Sequence, residues 1–263
     1  MAIATDTDMI GKMVQNNSMR FSLTDLHTHI LPAVDDGAAT VDMAAEMLYA
    51  QKKLGVDRVA LTPHYYPLRE AVDTFLERRQ KSYSALCAVW EQGRMPQLSL
   101  GAEVRYTPKL AELELNQLTL GQSNYLLLEL PDNGSIPLLE QVVDSMLCRD
   151  ITPIFAHIER CEMFRKEPEM LLYLIRMGAL AQISANALIG KGDSFAAACL
   201  RNGLAHIVAS DTHKPGDCVD FLFSKKYNDA IQWTEHFARS VWDKTPLPAF
   251  SITPVKKGLF NYR

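Results

Sequence analysis

Seven short β-like runs alternate with helical stretches along most of the chain, and this alternation limits the folds that the sequence can adopt. The runs lie at 23–26, 58–62, 97–103, 124–131, 153–157, 180–184 and 205–211. Strands that are separated by helices pair in parallel through right-handed crossovers. Runs such as "LLLEL" and "HIVA" are almost entirely apolar, as expected for strands that are buried on both faces. The sequence therefore predicts an α/β fold with a closed or nearly closed parallel barrel.

The length and charge of the chain favour a single domain and exclude some partners. The chain has 263 residues and a formal net charge of −4, which argues against general binding to nucleic acid or to anionic membranes. No apolar run reaches the length of a membrane span, so we expect no membrane insertion. We predict one domain at 23–250, an extended tail at 251–263, and a loosely ordered leader at 1–22 that lacks the apolar region of a secretory signal.

The cysteines indicate a reduced, cytoplasmic protein and exclude one type of catalysis. There are five of them, scattered and without a C-x-x-C pair, which argues against a disulfide framework. Thiol-based phosphotyrosine hydrolysis needs an arginine six positions after the reactive cysteine, so that the loop can bind phosphate. None of the residues six positions after the five cysteines is arginine; they are Gly93, Ile154, Glu167, Ala205 and Ser224. A phosphate-binding P-loop and a G-x-S-x-G nucleophile motif are also absent from the sequence.

Six of the seven β-runs end in a side chain that can bind a metal ion. In the first run, an x-D-x-H-x-H alternation directs three titratable groups to one face, which is costly for a buried strand unless a partner compensates them. The carboxyl ends of parallel barrel strands meet at one face, where active sites form. The residues at these ends are Asp25, His27, His29, His64, Glu103, Glu129, His157, Asp211 and His213, and the next loop adds Asp35 and Asp36.

Each of these residues also has an ordinary structural interpretation when it is taken alone. His64 fits a hydrogen-bonded surface residue, Glu129 fits a turn cap, and Asp211 fits the N-cap of a following helix. Their coincidence at one end of one barrel favours a metal site instead. The two remaining histidines, His206 and His236, fall away from these strand ends, and we predict that they are structural or solvated.

The types of ligand indicate the metal and its chemistry. Imidazole nitrogen and carboxylate oxygen without thiolate favour Mn, Fe or Zn over a structural zinc site. Eight or nine ligands are too many for one ion and suit two or three ions that share carboxylates. Closely spaced ions of this kind clamp the oxygens of a phosphate ester and activate water near neutral pH. These residues therefore predict a metal-dependent phosphomonoester hydrolase.

The motifs "DLHTHILPAVDDG", "ALTPHYY", "GAEVR", "LLLELP", "IFAHIERC" and "ASDTH" resemble those of the PHP-domain (polymerase and histidinol phosphatase) family, in order, over 23–213. Within that family they most resemble the bacterial metal-dependent tyrosine-protein phosphatases of capsular and exopolysaccharide biosynthesis. The resemblance implies a distorted seven-stranded (β/α)7 barrel, the PHP fold, with a trinuclear centre that usually contains manganese. The substrate that it implies is the tyrosine-phosphorylated C-terminal tail of a bacterial tyrosine kinase that controls polysaccharide export.

The resemblance also implies roles for individual residues. Arg160 would bind the phosphate, and Asp211 and His213 would join it in catalysis. The implied metal ligands are His27, His29, Asp36, His64, Glu103, Glu129, His157, Asp211 and His213.

One segment departs from the family pattern. Members of the family usually carry an arginine a few residues after the second D-x-H, whereas "DTHKPGDCVDFL" contains none and has Cys218 near that place. Lys214, which directly follows His213, is the predicted substitute cation for substrate binding. Two alternatives stay open from the sequence: a phosphatase for a small phosphomonoester such as histidinol phosphate, and a non-catalytic scaffold, against which the complete ligand set argues. The sequence leaves the oligomeric state open.

Overall fold

The computed structural model describes residues 22–131, 136–189, 192–217 and 228–249. Within these ranges the strands are β1 (Leu23–Thr28), β2 (Val56–Leu61), β3 (His64–Tyr65), β4 (Gln97–Leu100), β5 (Glu103–Arg105), β6 (Tyr125–Glu129), β7 (Thr152–Phe155), β8 (Leu180–Ser184) and β9 (Ile207–Ala209). All the strand pairs among them are parallel. The predicted α/β class with parallel strands is therefore confirmed.

The strands form two sheets that curl towards each other. Their orders are β1-β2-β4 and β3-β5-β6-β7-β8-β9. At one seam the chain itself joins the two sheets, because β2 leads directly into β3 and β4 leads directly into β5. At the other seam, the Asp211 N–H donates to the His27 carbonyl at 2.9 Å. The carboxyl ends of the first and last strands therefore meet.

The number of strands differs from the seven runs that the sequence predicts. The run predicted at 97–103 divides at Gly101, because β4 pairs with β2 whereas β5 pairs with β3. A Cβ on Gly101 would lie 2.7 Å from Leu120 Cδ2, so the chain packs closely where it changes partner. In addition, the predicted run at 58–62 is followed by the separate short strand β3. A pattern of apolar residues marks buried segments but does not show where a strand changes partner.

Helices follow most of the strands. Those in the described ranges are α1 (Val41–Lys53), α2 (Val72–Cys87), α3 (Ile136–Cys148), α4 (Glu162–Lys166), α5 (Pro168–Met177), α6 (Ser194–Arg201) and α7 (Asn228–Asp243). Thr40 caps α1 by accepting the Met43 N–H at 3.1 Å, and Gly55 follows the helix with a φ of 88°. The residues between α2 and β4 include Gly93, which has a φ of 79°; the sequence from Leu68 to Gly93 predicts one long helix, but the helix ends at Cys87, where the chain turns.

Two clusters of buried apolar side chains fix the strands relative to the helices. The larger one includes Leu48 of α1 and Phe75 of α2. The smaller one joins Leu127 of β6 and Ile154 of β7 to Phe237 of α7. Burial of apolar area at about 25 cal/mol per Å² makes these clusters the main source of stability. Rigid strands in turn hold the side chains at their carboxyl ends in place.

Three remaining predictions concern the ends of the chain and its relation to membranes. In the described ranges, none of the helices has the length and apolar character needed to cross a bilayer. The predicted leader at 1–22, apart from Ser22, and the predicted tail at 251–263 lie outside the described residues. The segment around Cys218 lies outside them as well.

Candidate metal centre

The structure brings all nine predicted ligands into one connected cluster at the carboxyl ends of the strands. β1 supplies His27 and is followed by His29 and Asp36; β3, β5 and β6 supply His64, Glu103 and Glu129; β7 is followed by His157, and β9 by Asp211 and His213. Their side-chain atoms form a continuous chain of short contacts. The residues come from both sheets, so the curl of the strands is what assembles them.

Four donor atoms form the buried nucleus of this cluster. His27 Nε2 lies 3.1 Å from His29 Nε2, 3.2 Å from Glu103 Oε2 and 3.4 Å from Asp211 Oδ1. His29 Nε2 lies 3.3 Å from the same Glu103 oxygen and 3.4 Å from the same Asp211 oxygen. Ligands bound to one ion at about 2.1 Å are separated from one another by about 3.0–3.4 Å. The spacing of the His27, His29 and Glu103 atoms, which all lie within 4.8 Å of one another, therefore fits a transition-metal ion.

The hydrogen bonds behind the nucleus determine where its protons lie. The Gln182 Oε1 accepts the His157 N–H at 2.7 Å, which fixes it as an acceptor, and it lies 3.1 Å from His27 Nδ1. Asp35 Oδ2 lies 2.7 Å from His29 Nδ1. Both Nδ1 atoms therefore donate, and in the neutral tautomer both Nε2 atoms carry lone pairs. In that tautomer both lone pairs face the carboxylate oxygens of the nucleus and are available to bind a cation there.

A second group of donors lies nearer to solvent. His64 Nε2 and His213 Nε2 each lie 3.6 Å from Asp36 Oδ1. The His213 ring stacks on the His29 ring with centroids 3.9 Å apart, which connects this group to the nucleus. The Asp36 side chain is 72% exposed, whereas those of His29 and Glu103 are fully buried. The outer group can therefore meet a substrate from solvent.

Glu103 connects the parts of the cluster. Besides its contacts in the nucleus, its Oε2 lies 3.0 Å from His64 Nδ1 and its Oε1 lies 2.8 Å from His157 Nε2. Donor atoms of Glu129, His64 and Glu103 all lie within 4.8 Å of one another and form a third group. A carboxylate with imidazoles around both oxygens is suited to bridging two ions.

The charges in the nucleus shift the pKa values of its members in opposite directions. Burial raises the pKa of Glu103 and Asp211, but the charge of His27 and hydrogen bonds from the imidazoles outweigh burial and hold both pKa values well below their usual range. Burial lowers the pKa of His27 and His29, but the Glu103 and Asp211 carboxylates outweigh it and raise both pKa values. Without an ion the imidazoles therefore hold protons, and a divalent cation would displace them.

An open cleft of about 450 Å³ adjoins the cluster. Arg160 lines it and donates through Nη2 to Asp211 Oδ2 at 2.5 Å, while 55% of the Arg160 side chain stays exposed. The predicted substrate-binding Lys214 lines the same cleft, so two cationic side chains face this space. The lining residues are Asp36, Gly37, Met43, Arg160, Asn186, Asp211, His213, Lys214 and Asp217.

Two of the predicted ligands have an unusual backbone conformation. The φ of His157 is 31° and the φ of Asp211 is 54°, in the left-handed region. Such a conformation costs about 1–3 kcal/mol in a residue other than glycine and is concentrated at functional sites. The bond from the His157 N–H to Gln182 and the bond from the Asp211 N–H to the His27 carbonyl hold these conformations in place.

Sequence reasoning missed the roles of two residues that orient the imidazoles, Asp35 and Gln182. Asp35 accepts the N–H groups of Gly37 and His64, both at 3.0 Å, in addition to its contact with His29. The two aspartates of "VDDG" indicated that this loop belongs to the site. They did not indicate that Asp35 contacts the His29 Nδ1 atom while Asp36 contacts the outer imidazoles. The signal for Gln182 was an amide in the middle of the apolar run "LAQIS".

Three polar residues of the sequence analysis lie outside the cluster. Asp25 is buried, but it accepts the Ser210 N–H at 3.0 Å and the Gln51 Nε2–H at 2.9 Å, so it ties β1 to the segment after β9. His206 is buried beneath α7, where burial lowers its pKa to about 4. His236 is exposed on that helix. The prediction that both histidines are structural or solvated is confirmed.

Comparison with known proteins identifies the family. Residues 23–226 match the model of a family described as "Capsular polysaccharide synthesis, CpsB/CapC". The chain belongs to the CpsB/CapC family. All nine predicted ligands, together with Arg160, lie inside the matched residues of this CpsB/CapC protein.

The relatives of this CpsB/CapC protein carry a common description. It is 30% identical over 204 residues to the tyrosine-protein phosphatase YwqE of Bacillus subtilis, covering 73% of this chain and 77% of the relative. It is 28% identical over 208 residues to the tyrosine-protein phosphatase CpsB of Streptococcus pneumoniae, covering 73% and 83%. A solved structure from a study of YwqE and CpsB, titled as metal-dependent tyrosine phosphatases, superimposes with a TM-score of 0.74 at 24% identity, covering 89% of this chain and 100% of the other. That superposition shows a shared fold.

Proposed function

We propose that this CpsB/CapC protein is a metal-dependent phosphatase of the protein-tyrosine-phosphatase class. The observation that carries the proposal is the convergence of the His27 and His29 Nε2 atoms with the Glu103 and Asp211 carboxylate oxygens, a donor set that a divalent ion binds once it displaces the imidazole protons. The names of YwqE and CpsB as tyrosine-protein phosphatases support phosphotyrosine as the substrate.

The proposed ligands are the nine residues of the cluster, and they would hold two or three Mn²⁺ ions, or Fe or Zn in their place. The nucleus, the outer group around Asp36 and the third group around Glu129 support more than one ion. When bound, closely spaced divalent ions supply Lewis acidity and ionise water near neutral pH.

The proposed catalytic residues are Arg160, Asp211 and His213, which meet at the cleft. The exposed guanidinium of Arg160 binds two phosphate oxygens, because its planar fork matches them. Asp211 keeps the guanidinium beside the cluster through its Oδ2. Lys214 adds a second positive charge to the phosphate site. The phenolate that leaves has a pKa of about 10, so strong general-acid assistance is not required.

The proposed substrate in the cell is the tyrosine-phosphorylated C-terminal tail of a bacterial kinase of capsule or exopolysaccharide synthesis. The family description in terms of capsular polysaccharide synthesis supports this partner, and an open cleft can accept an extended peptide. We place the protein in the cytoplasm, where scattered cysteines stay reduced.

We also infer that the fold is the distorted seven-stranded barrel. β2 and β3 follow each other without a helix between them, as do β4 and β5. Each of these two pairs would occupy one barrel position, which reduces the strand segments of the described ranges to seven positions.

Metal content tests the proposal most directly. Protein purified without added metal is expected to contain more than one transition-metal equivalent per chain by elemental analysis. Glu103→Gln is expected to reduce this number, whereas Glu46→Gln, on the exposed face of α1, is expected to leave it unchanged. Fully active protein with one equivalent or less contradicts the multinuclear centre.

Substrate preference tests the reaction. A phosphotyrosine peptide is expected to show a higher kcat/KM than histidinol phosphate, activity is expected to disappear with EDTA, and Mn²⁺ is expected to restore it. Alkylation of the cysteines and Cys161→Ser are expected to leave the chemical step intact. A preference for histidinol phosphate would favour a small-phosphomonoester phosphatase instead.

A further inference from the structure

Arg105 and Glu129 face each other across neighbouring strands beside the metal cluster. They are direct partners in the parallel register of β5 and β6. Arg105 Nη1 lies 2.7 Å from Glu129 Oε1. Glu103 precedes Arg105 by two residues on β5, so the two side chains project from the same side of the strand. β5 therefore supplies one proposed ligand and also the cation that contacts the proposed ligand of the next strand.

The contact with Arg105 engages only one oxygen of Glu129. The other oxygen, Oε2, is buried, and no group in the described part of the chain donates a hydrogen bond to it. An unpaired buried carboxylate oxygen is costly. Glu129 also offers a donor atom within 4.8 Å of donors of His64 and Glu103, so a cation held by these residues would compensate this oxygen.

The same arrangement occurs once more in the cluster. Arg160 contacts Asp211 Oδ2 at 2.5 Å, while Asp211 Oδ1 lies 3.4 Å from each of the two imidazole nitrogens of the nucleus. In both pairs a guanidinium holds one carboxylate oxygen, and the other oxygen is left for the cluster. Arg105 is less exposed than Arg160, at 38% against 55% of the side chain.

A glutamate side chain has three rotatable bonds, so an unrestrained Glu129 would lose conformational entropy on binding an ion. A planar guanidinium fixes the plane of a carboxylate, whereas a lysine ammonium acts as a point charge. We propose that Arg105 is a positioning residue that orients Glu129 so that Oε2 faces the third group of the metal cluster. This inference depends on the proposed metal centre and assigns to Arg105 a role in loading the ion at that group.

The test measures Mn²⁺ stoichiometry and affinity by elemental analysis and calorimetry. Arg105→Gln is expected to lower the affinity of one class of Mn²⁺ sites by about tenfold to a hundredfold, as is typical when the partner of a metal ligand is removed. Arg105→Lys is expected to show a smaller loss. Glu129→Gln is expected to lower the affinity of the same sites at least as much. The double variant is expected to bind Mn²⁺ no more weakly than Glu129→Gln alone, because the two residues act as a unit.

Arg58→Gln is the matched control. Arg58 also pairs with an acid, Asp243, at 3.5 Å, but it lies opposite Thr24 and Gln97 near the amino ends of the strands. Its removal is expected to leave Mn²⁺ binding unchanged.

Several outcomes would overturn the role of Arg105. Folded Arg105→Gln and Arg105→Lys proteins with wild-type Mn²⁺ binding contradict it, as do additive losses in the double variant. Unchanged Mn²⁺ binding together with weaker inhibition by inorganic phosphate would make Arg105 a substrate contact instead. If the wild-type protein binds one Mn²⁺ or none, the multinuclear centre itself is wrong, which is a separate result.

Discussion

At the scale of single residues, the position of two protons decides what the cluster can bind. His27 and His29 both direct Nε2 at the nucleus, because Gln182 and Asp35 occupy their Nδ1 atoms. The sequence predicted both histidines from their alternation on a strand. It did not predict Gln182, since the contact joins residues 155 positions apart and depends on how the strands curl.

Asp35→Asn tests this control of the His29 tautomer. The neutral amide accepts a hydrogen bond more weakly than a carboxylate, so the affinity for the most tightly bound Mn²⁺ is expected to fall by about tenfold to a hundredfold. Asp42→Asn, in the exposed first turn of α1, is the control and is expected to have no effect. Calorimetric titration measures the Mn²⁺ affinity of both variants. Equal affinities in the two variants would show that Asp35 does not orient the imidazole.

Arg160→Ala tests the proposed phosphate contact. The loss of one charge-assisted pair of hydrogen bonds is worth about 1.5–3 kcal/mol, so kcat/KM for an aryl phosphate is expected to fall about tenfold to a hundredfold. The variant is assayed at saturating Mn²⁺, because Arg160 also holds the Asp211 carboxylate whose other oxygen belongs to the nucleus. A kcat/KM within twofold of the wild-type value would assign phosphate binding to another group, with Lys214 as the first candidate.

At the scale of elements, the strand ends and the loops that follow them carry the site. The sequence predicted the runs and their polar ends, since burial and residue type are visible in it. It missed the change of partner at Gly101, because the apolar pattern is the same on both sides of the change. It also gave no sign of the left-handed backbone at His157 and Asp211, which depends on long-range hydrogen bonds.

Gly37→Ala tests the loop between β1 and α1. A Cβ at this position would lie 1.9 Å from the His29 carbonyl oxygen, which already accepts the Ala38 N–H at 2.9 Å. We expect a loss of about 1–3 kcal/mol in the free energy of unfolding, together with weaker Mn²⁺ binding, since the loop carries Asp36.

Gly93→Ala provides the comparison for this loop. Gly93 has a φ of 79° and open space around its Cα, so this substitution adds backbone strain without a steric clash. It is expected to reduce stability by about 1 kcal/mol and to leave Mn²⁺ affinity at the wild-type value. Denaturant melts and metal titrations of the two variants measure both effects, and equal Mn²⁺ affinity in both would show that the loop does not position ligands.

At the scale of the whole molecule, the charges of the cluster make stability depend on pH and on metal together. The lowered pKa values of Glu103 and Asp211 contribute stability above about pH 4, and this contribution is lost as the pH falls further. The raised pKa values of His27 and His29 contribute stability that is complete below about pH 6.5 and is lost as the pH rises through those values.

Thermal unfolding with EDTA and with Mn²⁺ tests this dependence. In EDTA, Tm is expected to fall as the pH rises above about 6.5, since the imidazoles then lose their protons and leave the carboxylates uncompensated. Mn²⁺ replaces those protons, so the rise in Tm that it produces is expected to grow over the same interval. A rise in Tm that is independent of pH would mean that the ion does not displace protons from these histidines.

The seam between the first and last strands has a consequence for synthesis. The Ser210 N–H reaches Asp25 across 185 positions of the chain, and the nucleus draws His27 and His29 from one end of this span and Asp211 from the other. A nascent chain on the ribosome therefore cannot assemble the nucleus until almost the whole domain has emerged. Metal acquisition is in this way a final step of maturation, and polypeptides that stop before residue 211 are excluded from it.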